Sequence, residues 1–567
     1  MEVKKHKADL DTQNPRKRQR IHKGTAIEEL PDDIIVAILS RMNIKDAVRT
    51  SVLSTRWKYL WKFMSVTLEF HDKDIATRKK LEAFVNRVLE LYNRVDSLVI
   101  RFSNTRKKTE SAAIDKWIYS AMLKQVKIFE LDLSADCGFH CSYEFPSFIK
   151  LVTQFHREKY RPILHKLRCI RSSLRYLSGF RSLRSIRLVD VDIQDEMVHY
   201  FLDSCPYIEQ LCIRASDATK DLRVVDPLPN LKELKISDCC NLQSLVISAT
   251  NLKELKISDC CNLQSLVISA TNLKELEISD CCSLQSLVIS AMNLVSCTYQ
   301  GREIKLSFKK TPNELTLGGV FCKSFIYEPN KHSTYSDQLV KLVLNLQTEN
   351  VQMESIERPI APPDFHQFRA LKQLELNIVS KVDRSLLFFT SLIEASPHLH
   401  EFKLKIDYLV SRPWFFDFAI KSMIPFPEVT PEEAKRFDHK NLKIVRMAGY
   451  CGCASEENFL VHLLENSPSV GTVFIDTDCD YYSDHWNNFV VMYRLRKDGN
   501  YPMIKPGRET KLKDNEVPAR SDSRTYIEKF KTDHYPLGDK LFTQFDARRH
   551  AGKLRSRFTS PIVFFIT

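Results

Sequence analysis

The sequence predicts an α/β solenoid, a curved parallel sheet with helices and extended return segments, preceded by a small three-helix unit. Three observations lead there. Between Asn230 and Met292 one unit of 21 residues is written three times: Asn230–Thr250 and Asn251–Thr271 are identical, and Asn272–Met292 differs only at Glu277, Ser283 and Met292. At 567 residues the chain exceeds the roughly 250–300 residues of one compact core, which an elongated array accommodates. Residues Ile27–Phe70, by contrast, carry their apolar side chains at helical spacing.

Aligned on the period, Leu231, Leu234, Ile236 and Cys239 recur as Leu252, Leu255, Ile257 and Cys260 and as Leu273, Leu276, Ile278 and Cys281. That spacing, L-x-x-L-x-I-x-x-C-x-x-L, is the leucine-rich-repeat pattern. Leu234 and Ile236 lie two apart and point to one face of a strand, with Lys235 on the other. One such coil cannot bury its apolar face alone, so the pattern makes sense only as a stack. A second phrase, Leu242-x-x-Leu245-x-Ile247, recurs from Leu263 and Leu284. A coil this short leaves no room for a long helix, so the second phrase reads as an extended return segment.

The net charge of +13 permits acidic partners, but lysine and arginine are scattered along the chain. There is no basic stripe with interleaved aromatics, so nucleic acid is not the expected partner. With 13 glycines and neither G-x-G-x-x-G nor G-x-x-x-x-G-K, a phosphate-cradling enzyme is not expected. No segment approaches the roughly 18 apolar residues of a membrane span, and MEVKKHKADL lacks an apolar signal core, so the reading is a soluble intracellular protein. The chain has 16 cysteines, many at repeat positions, which fits reduced, packed thiols. The pairs Cys239-Cys240, Cys260-Cys261 and Cys281-Cys282 are adjacent instead of C-x-x-C, and Cys451-Gly452-Cys453 is likewise not ligand spacing, so no metal or cofactor is expected.

In chain order, residues 1–26 read as a disordered basic tail. Lys4 and Lys5, then Arg16, Lys17, Arg18 and Arg20, form two clusters that read either as a nuclear import signal or as a solvated arm. In 27–70, Pro31 suits a first helical turn, and Ile34, Ile35, Ile38 and Leu39 form an apolar stripe. Asn43 and Asp46 open a second helix. Ser54 or Thr55 restarts a third carrying Trp57, Leu60 and Trp61. Three short helices lack the area for an independent core, so some of that surface must meet something else.

Leu30-Pro31-Asp32-Asp33, Ile38-Leu39-Ser40 and Ser51-x-Leu53-Ser54-x-Arg56-Trp57-x-x-Leu60-Trp61 resemble, in order and spacing, an F-box, and in particular the plant-type F-box proteins that carry leucine-rich repeats. Met42-Asn43 departs from the Leu-Pro usual there. The resemblance implies that Leu30, Pro31, Ile34, Ile38, Leu53, Trp57 and Leu60 face or support the surface that binds a Skp-type adaptor. The bland alternative is a helical cap on the first repeat.

Residues 71–425 read as the solenoid. Irregular coils begin at Val126–Leu131 and Leu183–Leu188, and Asp195–Cys205 is a helix before Ile208-x-x-Leu211-x-Ile213. Further phrases stand at Leu339–Leu344, Leu371–Leu376 and Leu399–Leu404, with a proline-marked loop at Pro359, Pro362 and Pro363. Residues 426–476, with Leu442-x-x-Val445-x-Met447, a helix around Phe459–Leu464 and Val470-x-x-Val473-x-Ile475, resemble the FBD-type region that ends many such proteins. Residues 477–567 show no repeat and stay unassigned.

What the family implies is a substrate-recognition subunit of an SCF-type, cullin-based ubiquitin ligase. The F-box binds a Skp-type adaptor and through it a cullin, the repeats bind an unknown protein substrate, and the chain itself does no covalent chemistry. The expected location is nucleus and/or cytoplasm, with no membrane partner. The alternatives are a non-degradative leucine-rich-repeat scaffold or a nuclear protein-interaction module. Substrate specificity is expected in the irregular coils of Leu339–Ile475, with Phe365, Phe368, Phe388, Phe389 and Trp414 as aromatic anchors.

Overall fold

The computed structural model describes residues 30–42, 44–63, 65–71, 78–92, 94–102, 108–134, 143–147, 150, 180–328, 338–347, 365–380, 385–408, 429–476, 552, 555 and 562–566. The expected import residues Lys4, Lys5, Arg16, Lys17, Arg18 and Arg20 lie outside the described residues, as do Asn43, Trp414 and the prolines at 359, 362 and 363.

Three short helices open the described chain: α1 (Asp32–Leu39), α2 (Ile44–Arg49) and α3 (Trp57–Leu60), with a 3-10 turn at Thr50–Val52. Pro31 caps α1, its carbonyl accepting the N–H groups of Ile34 and Ile35, and Asp32 and Asp33 put negative charge at the positive helix end. Ser54 starts α3 by accepting the Trp57 N–H at 3.3 Å.

Twenty strands follow among the described residues, and those of the central block alternate sides. On the way in come β1 (Val66–His71), β2 (Val95–Arg101), β3 (Ile128–Asp132), β4 (Ser185–Val189) and β5 (Gln210–Arg214). The central block holds β6 (Asp221–Val225), β7 (Glu233–Ser237), β8 (Ser244–Ser248), β9 (Glu254–Ser258), β10 (Ser265–Ser269), β11 (Glu275–Ser279) and β12 (Ser286–Ser290). Beyond it follow β13 (Ser296–Gln300), β14 (Glu314–Gly318), β15 (Lys341–Gln347), β16 (Gln373–Ser380), β17 (Glu401–Tyr408), β18 (Ile444–Ala448), β19 (Thr472–Asp476) and β20 (Val563–Ile566). Among the described residues, sixteen strands join one sheet in the order β1-β2-β3-β4-β5-β7-β9-β11-β13 and then β14 to β20, while β6, β8, β10 and β12 form a second sheet of four. The second phrase of each repeat is thus the extended return that its length demands.

In other coils helices make the return: α4 (Arg78–Leu91), α5 (Lys108–Leu123), α6 (Asp195–Ser204), α7 (Val320–Tyr327), α8 (Thr390–Glu394) and α9 (Ala454–Glu465), while the β13–β14 connection has no helix. Between the sheets of the central block, Leu234, Ile236, Leu245, Ile247 and their copies are all buried. Each fully buried leucine or isoleucine contributes roughly 1.5–3 kcal/mol, which is why exact copying of the apolar positions is enough to propagate the stack. Cys239, Cys260 and Cys281 are buried free thiols whose Sγ–H groups donate to the carbonyls of Ser237, Ser258 and Ser279 at 3.3, 3.4 and 3.5 Å. They pack as small hydrophobes.

At the ends of β4, β5, β7, β9 and β11 the chain turns a corner. The residue there has positive φ: Asp190 at 57°, Ala215 at 54°, Asp238 and Asp259 at 55°, and Asp280 at 54°. Aspartate is among the few side chains that visit this left-handed region routinely. After β18 glycine takes the corner, because a Cβ at Gly449 would stand 2.1 Å from the Ile406 carbonyl oxygen. The next residues, Cys451-Gly452-Cys453, wrap onto a buried carboxylate. Glu456 accepts the N–H groups of Cys451, Gly452 and Cys453 at 3.0, 2.7 and 3.0 Å, and so caps α9. Among the described residues no group of three His, Cys, Asp or Glu side chains is placed to hold a metal ion, and no helix is long and apolar enough to cross a membrane.

One prediction arises from this register. Strands β7, β9 and β11 pair in parallel with Leu234, Leu255 and Leu276 side by side, and β8, β10 and β12 do the same with Leu245, Leu266 and Leu287. Deleting Asn251–Thr271 therefore lets β7 meet β11 and β8 meet β12 in the same register. The shortened chain is expected to keep its circular dichroism per residue and a cooperative melt; a molten or aggregated product would show that the three coils are not interchangeable.

Candidate functional site

The N-terminal helices have two faces. Ile35, Leu39, Ala47, Trp57 and Leu60 are buried in the same core as Val66, Leu68 and Tyr92, so α1–α3 close the end of the solenoid. Trp61 reaches across to Tyr92 edge-on at 5.8 Å, and the Ser65 N–H donates to Ser40 Oγ at 2.9 Å, fixing α1 to β1. Arg56 clamps the starts of α3 and α1 together, its Nε donating to Asp32 Oδ1 at 2.7 Å and its Nη2 to the Leu30 carbonyl.

The opposite face is open. Ile34 is 44 % exposed, Ile38 41 %, Val52 86 % and Leu53 61 %. Met42, Tyr59 and Phe63 are exposed as well, so seven of the eighteen exposed large hydrophobic side chains among the described residues fall within residues 34–63. Exposed apolar side chains concentrated in so short a stretch of chain point to a protein-interaction surface. Lys58 and Lys62 lie over the Tyr59 ring at 5.4 and 5.3 Å and rim the patch with positive charge.

The single stripe expected of Ile34, Ile35, Ile38 and Leu39 is divided. Successive residues turn about 100° on a helix, so Ile35 and Leu39 face the core while Ile34 and Ile38 face out. Of the seven residues singled out, Ile34, Ile38 and Leu53 stand on the open face and Pro31 is exposed beside them. Leu30 packs partly against the core, and Trp57 and Leu60 are inside it. Trp57 and Leu60 therefore support the surface without presenting themselves on it. Val52, the most exposed of the group, was not anticipated. Its place beside Leu53 at the end of the 3-10 turn is the signal that could have found it.

Along the large sheet the outward side chains form charge ladders. Lys235 contacts Glu233 and, at 3.5 Å, Glu254; Lys256 contacts Glu254 and Glu277, both at 3.3 Å. The bond from Glu233 raises the Lys235 pKa above its ordinary value. Glu277 stands where the two earlier copies have lysine, directly opposite Lys256, and replaces a like-charge contact with an attractive one, an exchange worth roughly 0.2–1 kcal/mol. Along one edge of the block, a groove of about 320 Å³ is lined by Lys232, Lys253, Lys274, Asn251, Asn272, Asn293 and Pro229. Its exposed lining is mostly apolar, and the Lys232 ammonium is taken up by Glu209 at 2.6 Å.

The aromatic anchors expected in the later coils are placed differently. Phe368, Phe388 and Phe389 are buried and Phe365 packs partly against the core; Phe388 and Phe389 lie on a short helical return, whose apolar side chains fill the coil from behind. The aromatic surface is instead at the far end of the sheet. Phe474 on β19 and Phe565 on β20 stack at 4.9 Å, with the Arg446 guanidinium 4.1 Å from the Phe474 ring, and Phe565 is 48 % exposed. Strand β20 carries no periodic signal, so the sequence pattern does not mark this pair.

Comparisons with known proteins agree with both ends of this description. Residues 27–68 match the F-box domain family, and residues 92–255 and 241–499 match the family described as At1g61320/AtMIF1, LRR domain, a span of well over half the chain. Among relatives from Arabidopsis thaliana, the chain is similar to F-box/LRR-repeat protein At3g03360, 30% identical over 230 residues, covering 39% of this chain and 44% of that protein. It is similar to F-box/FBD/LRR-repeat protein At4g00160 at 31% identity over 217 residues, 37% of this chain and 46% of that one. The matches span about half the length of these relatives.

Proposed function

This chain belongs to the plant-type F-box proteins with leucine-rich repeats, and on that footing we propose that it is the substrate-recognition subunit of an SCF-type ubiquitin ligase. The observation that carries the reading is the division of the N-terminal helices into a buried face and an open apolar one. A pure cap would bury what it has and leave the rest polar. Here Ile34, Ile38, Val52 and Leu53 stay exposed, and a Skp-type adaptor is the partner that covers them. A cullin then joins through the adaptor.

The repeats hold the protein substrate, with Phe474, Phe565 and Arg446 as the anchors nearest the C-terminal end, since aromatic and arginine side chains carry much of the energy of protein interfaces. The chain contributes binding and distance, not covalent chemistry. The basic tail directs part of the protein to the nucleus; a fluorescent fusion with Lys4, Lys5, Arg16, Lys17, Arg18 and Arg20 changed to alanine is expected to lose nuclear enrichment.

The test of the adaptor reading is direct capture. A variant with Ile34→Glu, Ile38→Glu and Leu53→Glu is expected to bind a purified Skp-type adaptor on the order of 100-fold more weakly, as loss of central hot-spot contacts does, with its melting curve unchanged because none of the three is in the core. Equal capture by parent and folded variant would overturn it. Adaptor capture that persists without cullin-dependent ubiquitin transfer would instead identify a scaffold.

A further inference from the structure

The tandem coils place a second column of thiols at the surface. Cys240, Cys261 and Cys282 directly follow the buried Cys239, Cys260 and Cys281 in three successive copies. Cys261 and Cys282 are exposed and Cys240 is half-buried. Their surroundings repeat: Cys261 Sγ–H donates weakly to the Asp259 carbonyl at 3.8 Å and Cys282 Sγ–H to the Asp280 carbonyl at 3.6 Å. The backbone ladder runs through this corner, with the Asp238 N–H on the Ser258 carbonyl and the Asp259 N–H on the Ser279 carbonyl, both at 3.0 Å.

Neighbouring coils are therefore held one strand spacing, about 4.8 Å, apart. That lies inside the Cα separation of about 4.4–6.8 Å that a disulfide accepts, while two coils, about 9.6 Å, lie outside it. Cys240 and Cys282 flank Cys261 on either side, each close enough for its charge to act on the Cys261 thiol. Exposed free thiols are ordinarily kept off protein surfaces, and here two exposed thiols and one half-buried one stand in a row.

We propose that Cys240, Cys261 and Cys282 form an oxidative modification site that holds one disulfide at a time, with Cys261 as the obligatory partner of either neighbour. The oxidant is a hydroperoxide. One thiolate attacks the peroxide, the O–O bond breaks, an alcohol or water leaves, and the sulfur becomes a sulfenic acid. The adjacent thiol then attacks that sulfur, its proton and the departing hydroxyl leave as water, and the S–S bond forms. In all, two thiols lose two electrons and the peroxide gains them. The remaining thiol can attack Cys261 Sγ and expel the first partner as a thiolate, so the bond migrates between the two pairs. Burial, and then the charges of the neighbouring thiols, pushes Cys261 up to about 11. Cross-linking therefore speeds up as pH rises, since the thiolate is the attacking form.

The experiment treats the full-length protein with hydrogen peroxide, blocks remaining thiols with iodoacetamide and maps tryptic peptides by mass spectrometry. Ile236–Lys253 and Ile257–Lys274 are identical in sequence. A Cys240–Cys261 bond thus appears as that peptide joined to its own copy, and a Cys261–Cys282 bond as the same peptide joined to Glu275–Arg302. Both products are expected from the parent protein. Cys240→Ser should leave only the second, Cys282→Ser only the first, and Cys261→Ser neither. A Cys240–Cys282 bond in Cys261→Ser, or a parent oxidised to sulfinic acids with no bond formed, would overturn the proposal. Circular dichroism of the three serine variants, changed at sites outside the core, checks that each is folded.

Discussion

Glu456→Ala is expected to destabilise the last coils by about 3–5 kcal/mol, because the carboxylate is the acceptor of three backbone N–H groups that would be left buried, at roughly 1–3 kcal/mol each before water or local movement relieves part of the cost. The donors are those of Cys451, Gly452 and Cys453. Gly452 itself has a φ of 78°, so the loop holds a conformation that few side chains share and cannot simply straighten to find other partners. Glu456→Gln keeps the shape and one acceptor oxygen but turns an amide donor toward other donors, so its loss should fall between the parent and the alanine variant. Hydrogen exchange over Ile444–Asp476 reports the effect where it arises, since coils in an array unfold partly independently. Protection in Glu456→Ala equal to that of the parent would show that water replaces the carboxylate at no cost.

Trp57→Ala is the second large effect, also about 3–5 kcal/mol, the usual loss when a buried tryptophan is truncated. It should appear as unfolding of α1–α3 with the later coils intact, and adaptor capture should fail as a consequence. Leu53→Ala makes the informative contrast, because Leu53 is exposed. Its melting curve should match the parent while adaptor binding falls. Hydrogen exchange over residues 30–63 separates the two cases; normal protection in Trp57→Ala with binding lost would place Trp57 on the interface after all.

The array was legible because its signal is chemical identity at a fixed interval. Leu234, Ile236 and Cys239 recur unchanged, so the repeat alone specifies both the strand face and its stacking partner. The return strands were legible for a related reason, since the short coil leaves nothing else for Leu242, Leu245 and Ile247 to do. The first coils were harder. Val95-x-x-Leu98-x-Ile100 carries the same phrase with a β-branched opening residue, and α4 and α5 behind it lengthen the coil beyond the period that had been established. The apolar positions of the N-terminal helices are legible at helical spacing, yet spacing alone does not say which side of an amphipathic helix a solenoid occupies, so Ile34 and Ile35 look alike in the sequence. Strand β20 was invisible for another reason. Its pairing to β19 joins Val473 to Phe564 across the unassigned segment, and no local pattern encodes so distant a neighbour.

The second sheet of the central block has a geometric consequence for the whole assembly. Strands repeat at about 4.8 Å, whereas helices of about 10–12 Å in diameter force the back of a coil to spread wider than its front. Coils with helical backs are wedges, and a stack of wedges bends. In the central block strand faces strand on both sides, β7, β9 and β11 against β6, β8, β10 and β12, so each coil is a slab with parallel faces. A slab inserted between two bent arcs moves them apart and leaves their mutual bearing nearly as it was. Copying such a unit is therefore a way to lengthen the molecule by single strand spacings without re-aiming what it carries, and the number of copies becomes a ruler between its two ends.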